Sequence, residues 1–147
     1  MSIVNVEAHT LFGWWKISSF RVEFEDTGER ADIYGVDPSG HIAIEPGRIM
    51  SILTSRDRPN NDPRSLFETM IAYCGSYHVE GKDKLIIKVD TAWHPAWIGT
   101  EQVRFFKVGS GVLSMTTEWQ THPSFPGRVA RGVLTAQRNP AGSLPAK

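Results

Sequence analysis

Along most of the chain, apolar residues recur at every second position, in short runs separated by Gly, Pro, Asn and Asp. Such alternation puts one set of side chains on each face of an extended strand. The pattern predicts strands over Trp14–Phe24, Arg30–Tyr34, His41–Ile44, Arg48–Ser55, Ser76–Val79, Lys84–Thr91, Gln102–Val108, Val112–Glu118 and Val129–Arg138. In the sixth of these, Leu85, Ile87 and Val89 share one face while Lys84, Lys88 and Asp90 share the other, so one side meets a core and the other meets water. The first strand changes parity: Trp15 and Ile17 lie on one face, but the next apolar set is Phe20, Val22 and Phe24. An extra residue at Ser18-Ser19 accounts for this, and it reads as a β-bulge of the kind that bends strands in small closed barrels.

One segment breaks the period of two. From Pro63 to Cys74 the chain has helix punctuation: Asp62 or Ser65 as N-cap, proline in the first turn, Gly75 beyond the end, and Ser65-Leu66-Phe67-Glu68 as a capping box. Leu66, Met70, Ile71 and Cys74 then fall on one helical face, which is expected to be buried. Eight or nine strands with one short helix is the count of an all-β antiparallel barrel or sandwich, and the bulge favours closure into a barrel with the helix near its end. Residues 1–138 form the expected single domain. Residues 139–147, with two prolines and little apolar content, are expected to be a disordered tail.

Composition removes several classes of function. The 147 residues include 16 basic and 16 acidic side chains, which leaves no electrostatic drive toward nucleic acid or anionic lipid. No apolar run approaches the roughly 20 residues of a membrane-spanning helix, and the N-terminal residues lack the charged and apolar regions of a signal peptide. A single cysteine, Cys74, excludes an intrachain disulfide and makes the cytoplasm the expected compartment. There is no Gly-rich phosphate loop, and the five histidines show no metal-ligand spacing, so no metal and no cofactor are expected.

Four blocks in fixed order carry a family resemblance: Tyr34–Ile42 (YGVDPSGHI), Gly47–Ser51 (GRIMS), Tyr73–Val79 (YCGSYHV) and Trp97–Phe106 (WIGTEQVRFF), preceded by Gly13-Trp14-Trp15. Together they resemble the small bacterial and fungal lipocalin-like domain family, across about Leu11 to Arg138. The resemblance implies a calycin-type barrel enclosing a cavity, with the tryptophan of a Gly-x-Trp signature stacked under Arg138. The family often has a histidine where this chain has Ile87 and an aromatic residue near Ala136, so no role for that histidine transfers. A fold of this kind does not fix a function.

Strand parity nominates the cavity lining: Ile17, Phe20, Ile42, Ile44, Met50, Ile52, Tyr77, Val79, Leu85, Ile87, Val89, Phe106, Leu113, Met115 and Leu134. Most are apolar, which favours an apolar or aromatic guest oriented by a few polar groups. Arg104 shares the parity of Gln102 and Phe106. If it points inward it needs a carboxylate, a carbonyl or an anionic ligand group, and the alternative is a surface arginine with Val103 and Phe105 inside. Tyr77 could hydrogen-bond a ligand or serve as an acid, or its hydroxyl could simply bond to backbone. Thr54, Gln102 and Thr117 are candidates whose facing depends on register. Trp93-His94-Pro95-Ala96-Trp97 reads as a loop at the barrel mouth, where His94 could act as a general base or be only a packed or solvent-facing residue.

The expected ligand-binding set is therefore Met50, Ile52, Tyr77, Ile87, Trp93, Trp97, Gln102, Arg104, Phe106, Met115 and Thr117. Three functions follow from these residues. The first is binding of a small hydrophobic or aromatic molecule. The second is a cofactor-independent isomerase, cyclase or lyase/dehydratase in secondary metabolism, with Tyr77, Arg104 and His94 as catalytic groups. The third is an interaction protein whose barrel is filled by its own side chains. A homodimer is permitted but not required.

Overall fold

The computed structural model describes residues 10–58, 61–122 and 125–138. In chain order the elements are β1 (Gly13–Phe24), β2 (Arg30–Ala31), β3 (Ser39–Glu45), β4 (Arg48–Thr54), α1 (Pro63–Glu68), β5 (Met70–Glu80), β6 (Lys84–Ala92), β7 (Glu101–Gly109), β8 (Val112–Thr117), β9 (Gln120–His122) and β10 (Phe125–Arg138). A 3-10 turn, Pro95–Trp97, joins β6 to β7. Strands β1, β3, β4, β5, β6, β7, β8 and β10 are hydrogen-bonded in that order, and β10 pairs back onto β1, so eight strands close a ring. The short β2 and β9 extend β1 and β10 beside it. All the pairings are antiparallel.

The expected bulge is present. Ile17 pairs with Ala136 and Ser19 with Thr135, leaving Ser18 as the extra residue. It lets Trp15 and Ile17 below, and Val22 and Phe24 above, all turn inward along one bent strand. The lower end of the barrel is sealed by Trp15. Its indole Nε1 donates to the Leu11 carbonyl at 2.8 Å, and the Arg138 guanidinium lies over the ring with Cζ at 4.2 Å from the centroid. The same guanidinium donates to the carbonyls of Phe12 and Thr10. Gly13 has φ +129°, and a Cβ there would lie 2.8 Å from an Arg138 nitrogen, so the glycine is needed for this closure.

Three sequence expectations need correction. The helix stops at Glu68, six residues long and with no buried residue; Asp62 caps it by accepting from the Arg64 amide and the Ser65 hydroxyl. Residues 70–74 are instead the first half of β5. They contribute Ile71 and Tyr73 to the interior in a period of two, and they pair with β4 and β6. The pairing of this β-branched and aromatic segment to two neighbours outweighs a helical spacing that no tertiary contact supports. Second, only Arg30 and Ala31 of the segment Arg30–Tyr34 are extended in a sheet, and a short strand at Gln120–His122 was not anticipated. Third, β4 faces the other way. Ile49, Ser51 and Leu53 are inside, while Met50 (37% exposed) and Ile52 (39%) are on the outer wall. The proposed tail, residues 139–147, lies outside the described residues.

Candidate functional site

Two ends of the barrel differ. Below the middle the interior is solid, with Trp15, Ile44, Ile49, Leu113 and Ala136 packed with almost no exposure. Above it, beneath the loops that join β1 to β3, β4 to β5, β6 to β7 and β8 to β10, lies a cavity of about 70 Å³. Its wall is mainly Phe20, Val22, Ile42, Leu53, Ile71, Tyr73, Trp97, Met115 and Leu134, with Ser51, Arg104 and Thr117 as polar groups and Gln120 and Arg131, both half-buried, at the rim. That volume holds several waters or a guest of a few heavy atoms; it is well below the several hundred Å³ typical of larger ligands.

The mouth is built from aromatic rings in contact. Tyr73 in β5 meets Trp97 at 5.3 Å between centroids; Trp97 meets Trp93 at 5.2 Å edge-on; Trp93 and His94 in turn meet Phe67 of α1 at 6.1 and 5.4 Å. The Trp93 indole also donates to the Phe67 carbonyl at 3.3 Å. The loop is fixed at its far side, where the Val89 amide donates to the Thr100 carbonyl and the Gly99 amide to the Val89 carbonyl. His94 caps the 3-10 turn, its Nδ1 accepting from the Ala96 amide at 3.2 Å. The ring nitrogen that would act as a base is thus committed to the backbone.

Arg104 is the centre of the site. It sits in β7 opposite Leu85 of β6 and Thr117 of β8, is only 6% exposed, and lines the cavity. One Nη donates to the Val103 carbonyl at 2.9 Å, and Cζ lies 5.7 Å from the Tyr73 centroid. Among the described residues it has no ion pair. A cation–π contact contributes about 1–2 kcal/mol, whereas removing a guanidinium from water costs several. Arg131, the other guanidinium of the wall, is answered by Glu23 at 2.8 Å, and that bond holds the Glu23 carboxyl below the usual carboxylate range. Among the described residues no carboxylate lines the cavity.

The remaining sequence candidates are distributed unevenly. Trp97, Arg104, Met115 and Thr117 line the cavity. Ile87 and Phe106 are buried in the solid core, and Gln102 is half-buried with its amide donating to the Thr100 hydroxyl at 2.9 Å. Trp93 stands behind Trp97 rather than in the wall. Tyr77 points inward at the lower end, where its hydroxyl donates to the Glu45 carbonyl at 3.0 Å and burial pushes its pKa up. Tyr77, His94 and Arg104 are therefore not gathered around one point. Met50 and Ile52 belong to the outer wall, where Met50 borders a shallow groove with Trp14 and Ala43.

Sequence reasoning did not nominate Ser51, Leu53, Ile71, Tyr73, Gln120 or Arg131. The alternation Ile71, Tyr73, Gly75 continuing to Tyr77 and Val79 was the available signal for Tyr73, and the helical spacing competed with it.

The sequence matches the lipocalin-like domain family over residues 12–139. The chain belongs to that family. No match was found among curated proteins. Among solved structures, this lipocalin-like barrel is similar to one described as a redesigned beta barrel, with 13% identity and a TM-score of 0.47 over 95% of this chain and 99% of the other. Among the described residues no helix is long and apolar enough to cross a membrane.

Proposed function

We propose that the upper half of the barrel binds a small, mostly apolar or aromatic molecule. The observation that supports this most directly is the joining of an aromatic and aliphatic wall to a buried guanidinium on one cavity, where a self-filled core would have put apolar atoms. Trp97, Arg104, Met115 and Thr117 make the contacts. A guest larger than a few atoms enters by displacing the Trp93–Trp97 loop, which is held to α1 chiefly by ring contacts and one hydrogen bond. A cytoplasmic setting fits a chain whose only cysteine is unpaired. Binding rather than catalysis is favoured because the proposed acid, Tyr77, and the proposed base, His94, each have a backbone partner away from the cavity.

Native mass spectrometry of the protein drawn from its own host tests this reading. The expected result is one retained small molecule that is released on denaturation. Recovery of only the bare chain mass, together with no thermal shift against a set of small aromatic compounds, would sink it.

A further inference from the structure

Three polar groups of the cavity wall have unused hydrogen-bonding capacity. Arg104 employs one of its nitrogens, and among the described residues the Ser51 hydroxyl and the Tyr73 phenol have no hydrogen-bond partner. Yet among the described residues no buried side-chain nitrogen or oxygen is sealed off without a partner, so these atoms abut open space rather than hydrocarbon. Ser51 and Tyr73 are paired residues on β4 and β5, both more than nine-tenths buried, and the Tyr73 ring carries the Arg104 guanidinium. The donors thus converge from three strands on one cavity in which, among the described residues, there is a surplus positive charge and no carboxylate.

We propose that the guest is a monocarboxylate with a compact apolar body. This inference rests on the guest-binding reading above and names the chemistry that completes it. A carboxylate is planar and accepts two parallel N–H bonds from a guanidinium fork, as a neutral carbonyl cannot. Its oxygens have further lone pairs for the Ser51 and Tyr73 hydroxyls. The apolar body then lies against Ile71, Met115 and Leu134. Thr117 is excluded from this anchor: its hydroxyl already donates to the Glu118 carbonyl and accepts from the Gly132 amide.

Pairs of equal shape and different charge test the proposal: isobutyrate against isobutyramide, and benzoate against benzamide, followed at neutral pH by ligand-observed NMR. The folded wild-type protein should bind each carboxylate at least tenfold more tightly than its amide. In Arg104→Met the preference should vanish, the carboxylates losing at least tenfold more affinity than their amides; Arg104→Lys should restore part of it. Equal or tighter binding of the amides by the wild type overturns the proposal and leaves the guest site standing, whether or not the variants fold. Binding of neither member of either pair overturns the guest site itself, and the carboxylate with it. Persistence of the preference in Arg104→Met overturns the assignment of the anchor.

Discussion

Arg104 lies among side chains that would accept a hydrocarbon in its place. Leu85 and Thr117 flank it across the strands, and Met115 is close by in the same wall. Replacing a buried ion with an apolar side chain of similar length is often neutral or stabilising. Arg104→Met is therefore expected to raise unfolding stability by about 1 kcal/mol without added guest, read as a shift of the urea midpoint at constant slope. A loss of stability would mean that the guanidinium is already compensated. A residue kept at some cost to stability is what a ligand anchor requires. Tyr34 makes a separate test of burial. Its phenol is desolvated against Phe20, and burial pushes its pKa up to about 12. The folded form then holds its proton where the unfolded chain, near 10, has released it. Stability is unaffected below about pH 10 and falls between pH 10 and 12 by roughly 2–3 kcal/mol. Tyr34→Phe should remove that part of the alkaline decline, as measured by parallel urea titrations across the range. At this scale Met115 could be read from parity, whereas parity left Arg104 and Thr117 open between the cavity and the outer face. Met50 and Ile52 were misread because Ile49, Met50, Ile52 and Leu53 make both faces of β4 apolar, and nothing local says which face the closure of the barrel will bury.

Strand irregularities shape the elements that hold the site. The bulge at Ser18 was visible in sequence as a change of parity, because apolar residues stand on both sides of it. The second, where Cys74 pairs with Thr91 and Gly75 with Val89, leaves Asp90 of β6 as the extra residue; it was not visible, because Asp90 and Thr91 are both polar and no apolar pair beyond them reports a change of face. There the backbone of β6 approaches so closely that a Cβ on Gly75 would meet the Lys88 carbonyl at 2.0 Å. Gly75→Ala should cost roughly 1–3 kcal/mol or more of stability, since backbone rather than a flexible side chain must move. Gly109→Ala in β7, where an added methyl meets nothing within 4 Å, should stay within about 0.5 kcal/mol of wild type. Equal thermal shifts for the two would contradict the tight β5–β6 crossing. The helix shows the opposite relation between sequence and structure. Of its two candidate caps, Asp62 located its start and Ser65 lies inside the helix, and its end was decided by the pairing of Met70–Cys74 with β4 and β6, a long-range competition that local spacing does not contain.

The described barrel divides into a closed lower half and an upper half that holds the cavity. Trp15, Arg138 and Gly13 close the bottom, and the Phe67–Trp93–Trp97–Tyr73 series of rings leads from α1 to the cavity at the top. Strand count left a barrel or a sandwich of eight or nine strands; the early bulge favoured closure and the family resemblance made it firm, so the fold was legible although the number of strands in the ring was not. The site was legible only in part, because it depends on how two adjacent strands, β4 and β5, turn their faces. The proposed guest occupies the upper half alone and engages Arg104. Heteronuclear NMR of methyl groups and of the arginine Nε–H during titration with benzoate tests it most directly. Shifts are expected at Leu53, Ile71, Met115, Leu134 and Arg104, with Ile49, Val89 and Leu113 unmoved. Shifts confined to the lower methyls or to the outer Trp14–Met50 face, or none at saturating benzoate, would contradict it.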